Sequence, residues 1–200
     1  MTNVLIVGYG SIGKRHLENF LQFKDIRLTV YTKRNDLQLL KKKGIKVSNS
    51  LTECLKENPD IGVIANETSL HTPIAIKLAK EGLDLFLEKP LSNSLKDIEK
   101  LRAIVKKNKL ITQMGCNLRF HPCIKKIKSL IEQQKIGKII SAQVQNYSYL
   151  PDHIEDYRKS YAGRKDLGGG VILTQIHEID YMYWFFQEVE NVISMSGKFS

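Results

Sequence analysis

Cysteine is scarce and unpatterned in this 200-residue chain: Cys54, Cys116 and Cys123 are an odd number with no Cys-x-x-Cys or other metal-ligand spacing. That excludes a disulfide framework and points to reduced thiols packed as small hydrophobes, with no metal site. No apolar run approaches membrane-spanning length, and the N-terminus passes from Met1-Thr2-Asn3 straight into Val4-Leu5-Ile6-Val7. Neither a membrane span nor a cleavable leader is therefore expected, and the expected location is cytoplasmic. Repeats and low-complexity segments are missing too. Acid is in shorter supply than base, with 21 Asp and Glu against 31 Lys and Arg and a formal net charge of +10. The lysines fall in short runs, such as Lys41–Lys43, Lys106–Lys107 and Lys125–Lys126, that read as solvated helix faces without interleaved aromatics. No nucleic-acid partner is expected, and the charge serves solubility and attraction of anionic ligands.

What is present is an alternation of short apolar runs and helical periodicity. Strand-length runs occur at Val4–Val7, Leu28–Tyr31, Ile61–Ala65, Leu83–Leu87 and Leu110–Met114. Between them the spacing predicts helices over Ile12–Phe23, Asp36–Lys43, Leu51–Asn58, Pro73–Glu81 and Leu95–Asn108. Such alternation implies βαβ units and an α/β fold with a parallel sheet covered on both faces. Ser50-Leu51-Thr52-Glu53 has a capping-box pattern, and Ser94 stands three residues before Asp97 as a second helix start. Beyond residue 120 the style changes. A helix is expected over Pro122–Gln134 with Gly137 as its stop, then a long strand over Lys138–Tyr149, a polar loop, an apolar helix after Gly168-Gly169-Gly170, and a strand-like run over Val189–Phe199. The expected division is residues 1–119 and 120–200.

The polar residues gather at strand ends. Gly8-Tyr9-Gly10-Ser11-Ile12-Gly13 lies between the first strand and the first helix, as a GxGxxG dinucleotide fingerprint requires: the glycines permit a tight turn and close backbone approach, and the helix N-terminus faces a pyrophosphate. Asn66-Glu67-Thr68-Ser69, Glu88-Lys89-Pro90 and Asn117-Leu118-Arg119 follow three further strands, on the edge where open α/β sheets bind ligands. Two charges directly after Leu85-Phe86-Leu87 are costly unless something uses them. Where NAD enzymes carry an acid against the ribose diol, this chain has Thr32, Lys33 and Arg34, which suit a 2′-phosphate and favour NADP over NAD. Asp36 is the rival acid, within the next expected helix.

Four motifs in order, Gly8 to His16, Asn66 to His71, Glu88-Lys89-Pro90, and Gly168-Gly169-Gly170 followed by His177-Glu178-Ile179-Asp180, resemble the oxidoreductases grouped around glucose-fructose oxidoreductase, inositol dehydrogenase and MocA. The resemblance spans the chain. It implies a Rossmann domain followed by part of an α+β open-sheet substrate domain that also mediates oligomerisation, and a hydride transfer between NAD or NADP and a sugar-type alcohol or ketone. It extends the cofactor contacts from Gly8, Gly10, Ser11, Ile12 and Gly13 to Asn66, His71, Glu88 and Lys89, with a cis Lys89–Pro90 bond. It also implies that His177 is the base that removes the hydroxyl proton and that Lys89 binds the same oxygen, chemistry that suits an imidazole and an ammonium. Members often carry an aspartate three or four residues before the histidine, where this chain has Thr174.

The substrate side is read from Arg119, Tyr147, Arg158, Tyr161 and Arg164, together with Lys89, Thr174 and His177. As a set they suit a polyhydroxylated substrate with an anionic group, such as a nucleotide-linked sugar or sugar acid. Relatives of this kind run longer, so the chain is expected to be incomplete as a catalyst or to need a partner, with a homo-oligomer formed through the C-terminal sheet. Two other classes stay open: a dinucleotide-binding sensor or inactive relative without turnover, and a different Rossmann enzyme such as a methyltransferase, in which Glu88-Lys89-Pro90 has no role.

Overall fold

The computed structural model describes residues 1–34, 40 and 43–197. Six parallel strands form one sheet: β1 (Thr2–Val7), β2 (Ile26–Tyr31), β3 (Lys46–Ser48), β4 (Ile61–Ile64), β5 (Asp84–Leu87) and β6 (Thr112–Met114), in the order β3-β2-β1-β4-β5-β6. Strand order reverses between β1 and β4, which opens a crevice at their carboxyl ends. The apolar run of β1 is explained by burial on both sides. Leu5 and Val7 join one core with Ala75, Leu78 and Ala79, while Val4 and Ile6 join the other with Leu17, Val30 and Val63.

Among the described residues the helices of this layer are α1 (Ser11–Phe20), α2 (Leu51–Leu55), α3 (His71–Lys80) and α4 (Ile98–Asn108). Ser50 caps α2 as its pattern predicts, its side chain accepting from the Glu53 amide. Ser94 does not start α4. Its amide donates to the Ser92 hydroxyl at 3.2 Å, and Asp97, left-handed at φ 60°, immediately precedes the helix. The expected helix over Asp36–Lys43 lies largely outside the described residues, as does Asp36 itself.

Two compact units are present, Met1–Gly115 with Tyr149–Thr174, and Cys116–Ser148 with Gln175–Ser200. To the first belong α6 (Leu150–His153) and α7 (Val171–Thr174); to the second, α5 (Pro122–Glu132) and α8 (His177–Phe186). The second unit corrects the expectation of strands over 138–149 and 189–199. Among the described residues neither segment joins a ladder, because alternation makes a surface that suits a sheet but only a hydrogen-bonding neighbour makes the strand. Its packing centres on α5 and α8, where Ile124, Ile127 and Ile131 face Tyr181, Met182 and Phe185 around an open apolar groove of about 470 Å³. No helix among the described residues is long and apolar enough to cross a membrane.

Candidate functional site

The glycine loop is fixed by close backbone approach. A methyl group at Gly13 would lie 2.1 Å from the Gly8 carbonyl oxygen, so only hydrogen fits there. Gly10 differs: it is the N-cap of α1, and nothing stands within 4 Å of the place its Cβ would take. Ser11 and Ile12 follow on the exposed first turn, which carries no acidic residue. Free amides and a positive helix end therefore meet open space, an arrangement that accepts an anion.

At the end of β2, Thr32 is 6% exposed and its hydroxyl accepts from the Arg34 amide at 3.2 Å, so it shapes the turn from within. Lys33 and Arg34 are exposed, and the Arg34 guanidinium donates to the Tyr9 carbonyl at 3.0 Å, which holds a fixed cation over the glycine loop.

The turns after β4 and β5 interlock with that loop. Asn66 packs so closely on Gly8 that a Cβ there would come within 2.7 Å of the Asn66 backbone. Glu88 turns towards α1, where its carboxylate meets His16 Nε2 at 2.7 Å and accepts from the Lys89 amide at 3.3 Å. His16 also lies edge-on to Phe86, with ring centroids 5.1 Å apart. The sequence places His16 at the end of the first motif but assigns it no role. Its place three residues beyond Gly13, one helical turn into α1, was the available signal. The Lys89–Pro90 bond is cis, as expected. His71, expected at the cofactor, is 1% exposed, and both ring nitrogens are engaged by carbonyls, those of Pro90 and Asn66. It holds the turns from behind.

The segment 149–174 is strapped onto the same unit. Cβ atoms at Gly168 and Gly169 would come within 2.7 Å of Thr68 and 2.1 Å of the Tyr161 carbonyl, so the triple glycine serves close packing at this point as well as starting a helix. Lys89 Nζ donates to the Thr174 carbonyl at 2.8 Å, while the Thr174 hydroxyl donates back to Gly170. Burial first, and then the Glu88 carboxylate, push the Tyr161 phenol above its ordinary value. Lys89, Tyr161 and Thr174 are thus brought together beside Glu88. Arg164 is instead paired with Asp166, and Arg158 lies over the Tyr157 ring.

In the second unit, Arg119 is not an open anion receptor. Its guanidinium forks onto Asp180, and it lies over the Trp184 ring at 5.7 Å. The hydrogen bond to Asp180 raises the Arg119 pKa above its ordinary value. His177 is half-buried in the first turn of α8, whose start is also held by Asn146, donating to Glu178 at 2.8 Å and Gln175 at 3.2 Å. Tyr147 is 86% exposed.

These motifs stand in a known family. Residues 2–116 match the oxidoreductase family with the NAD-binding Rossmann fold, and residues 124–200 match the GFO/IDH/MocA C-terminal domain. The chain belongs to the Gfo/Idh/MocA family. The myo-inositol 2-dehydrogenase of Thermotoga maritima is 30% identical over 94% of this chain and 56% of its own length. The levoglucosan dehydrogenase of Pseudarthrobacter phenanthrenivorans is 28% identical over 96% of this chain and 54% of its own. In fold, the crystal structure of myo-inositol 2-dehydrogenase from Lactobacillus plantarum superposes with a TM-score of 0.78 at 22% identity, covering 92% of this chain and 56% of that one. The chain therefore spans about half the length of the relatives it matches.

The residues present fit the dinucleotide that this family's first domain binds. The open cradle at Gly10 and the acid-free first turn of α1 suit a pyrophosphate. The Asn66 side-chain oxygen, buried without a partner beside Gly8, is an acceptor waiting for a donor. Among the described residues no cluster of three or more His, Cys, Asp or Glu side chains is arranged to hold a metal ion.

Proposed function

We propose that this chain carries the dinucleotide-binding and proton-handling residues of an oxidoreductase that interconverts a secondary alcohol and a ketone on a sugar or sugar derivative, with NADP preferred over NAD. The observation that carries the reading is Lys89. It stands directly after β5 at the carboxyl edge of the sheet, with Nζ held at 2.8 Å from the Thr174 carbonyl, in the unit that contains the open Gly10 cradle. An ammonium fixed by the protein costs little reorganisation when it stabilises oxygen charge developing in a transition state.

A bound nicotinamide supplies the hydride acceptor or donor. The protein's own residues manage the remaining charge and the proton. His177 takes the hydroxyl proton in the oxidation direction and returns it in reduction, a task suited to an imidazole near neutral pH. Lys89 stabilises the alkoxide as that proton leaves. Arg34 and Lys33 receive the 2′-phosphate, and Gly10, Ser11 and Ile12 receive the pyrophosphate at the start of α1. Thr174 holds Lys89 through its carbonyl while its hydroxyl is committed to Gly170, so no side-chain acid three residues before His177 assists the proton transfer. Names carried by relatives, inositol and levoglucosan dehydrogenases among them, support a polyhydroxylated substrate.

Assaying the protein with NADP⁺ against a panel of inositols and sugar derivatives tests the reading. Lys89→Ala and His177→Ala are each expected to lower turnover by about a hundredfold while NADPH still binds. Cofactor binding with no turnover of any panel member would favour a sensor instead.

A further inference from the structure

His71 opens α3, and its ring lies between two backbone carbonyls: Nδ1 is 2.9 Å from the Pro90 oxygen and Nε2 is 3.0 Å from the Asn66 oxygen. These carbonyls belong to different turns. Asn66 follows β4 and packs against Gly8 of the dinucleotide loop, whereas Pro90 follows Lys89 after β5. The ring is 1% exposed, so water does not compete for its two nitrogens. A carbonyl only accepts, so the imidazole engages both turns fully as the doubly protonated ring and donates to one at a time when neutral.

We propose that His71 is a positioning residue that couples the Asn66 turn, and through it the dinucleotide loop, to the turn that presents Lys89. Nδ1 holds the Lys89 turn when it carries the proton, and Nε2 holds the Asn66 turn when it does, so the neutral ring ties one turn at a time across a fixed width. Each turn is irregular backbone at the edge of the sheet, and each presents a group that the proposed reaction needs at a fixed place. One buried side chain bridging both makes the separation of those two places a property of the ring's width.

The two ties can be cut separately. An asparagine amide reaches about as far as Nδ1, and a glutamine amide about as far as Nε2, so His71→Asn keeps the Pro90 tie and His71→Gln keeps the Asn66 tie. Two measurements on the full chain report the outcome: the dissociation constant for NADPH, and amide hydrogen exchange at residues 66–68 and 91–92. For His71→Asn we expect NADPH affinity to fall about tenfold, the scale of one buried hydrogen bond, with exchange accelerated chiefly at 66–68. For His71→Gln the larger acceleration falls at 91–92, and NADPH affinity falls less. His71→Phe loosens both turns. Equal effects of the Asn and Gln variants on both turns, or a change in thermal stability alone, would overturn the coupling. The proposal rests on the reading of these turns as cofactor- and substrate-facing. Failure of the wild-type protein to bind NADPH would remove that reading, whereas the crossed exchange pattern tests the coupling by itself.

Discussion

Arg119 grips Asp180 with two prongs, Nε to one carboxylate oxygen at 2.9 Å and Nη2 to the other at 2.6 Å. The pair ties the turn Asn117–Phe120 to α8, three residues into the helix from His177. A planar guanidinium matches a carboxylate in this way and an ammonium does not. Arg119→Lys should therefore keep the charge and lose the clamp. The expected loss of stability is about 1 kcal/mol, because the Arg119 side chain is 36% exposed and solvent screens the pair, and amides in the first turns of α8 should exchange faster. Calorimetry together with hydrogen exchange checks this. Unchanged stability with a weaker affinity for an anionic sugar would return Arg119 to the role of substrate receptor.

The glycine loop gives a sharper contrast. Gly10 and Gly13 belong to the same fingerprint, yet a methyl group at Gly10 meets nothing within 4 Å while one at Gly13 meets the Gly8 carbonyl oxygen at 2.1 Å. Gly10→Ala should leave thermal stability near that of the wild type and lower NADPH affinity at least about tenfold, since the methyl enters the space where the pyrophosphate approaches the backbone. Gly13→Ala should destabilise the protein itself. Thermal melts and cofactor titrations of the two variants separate the cases, and parallel losses of stability would count against an open cradle at Gly10.

The first unit was legible because its signals are local. Val4–Val7 is apolar without alternation, as burial on both faces demands, and the glycines stand where a strand turns into a helix. β3 escaped notice because Lys46–Ser48 is a short edge strand, paired only with β2 and carrying polar residues. The second unit misled in the opposite sense: residues 138–149 alternate as a strand does, but nothing in a segment's own sequence reveals whether a neighbour completes the ladder. Motifs mark the candidate site residues in the sequence, but not the partners those residues meet in the fold. Arg119 read as a receptor because Asp180 is 61 positions away in the chain, and no spacing rule connects them. For His71, the chain gives no hint that two carbonyls from separate turns converge on one ring.

Burial is the largest influence on His71 and pulls its pKa below the ordinary value of 6.5, against the upward pull of the Pro90 and Asn66 carbonyls and the carboxylates of Glu88 and Glu67. The unfolded chain therefore binds a proton at this residue more readily than the folded one. Stability from this source is complete above pH 6.5 and declines as pH falls from there towards the folded-state pKa. Wild-type protein should lose more thermal stability than His71→Gln when pH is lowered from about 7 to about 5. The comparison uses the difference between the two melting curves, so carboxylates common to both proteins cancel. A wild-type curve that runs parallel to that of the variant would show that the ring keeps its ordinary pKa.

The proposed preference for NADP turns on Arg34. Its guanidinium is exposed yet held, with Nη1 on the Tyr9 carbonyl at 3.0 Å and the amide on the Thr32 hydroxyl. A cation tethered to the dinucleotide loop loses less freedom on meeting a phosphate than a loose one would, and a planar fork suits phosphate oxygens. NADPH carries that 2′-phosphate and NADH does not. Arg34→Ala should weaken NADPH binding by about tenfold or more, the scale of a charge-assisted hydrogen bond, and change NADH binding little. Raising the salt concentration should narrow the preference of the wild-type protein, because an exposed ion pair is screened, and should leave the variant nearly unaffected. Fluorescence titration of both cofactors at low and high salt measures all four affinities. If Arg34→Ala weakened both cofactors equally, the guanidinium would be supporting the glycine loop through Tyr9, and the preference for NADP would lose its physical basis.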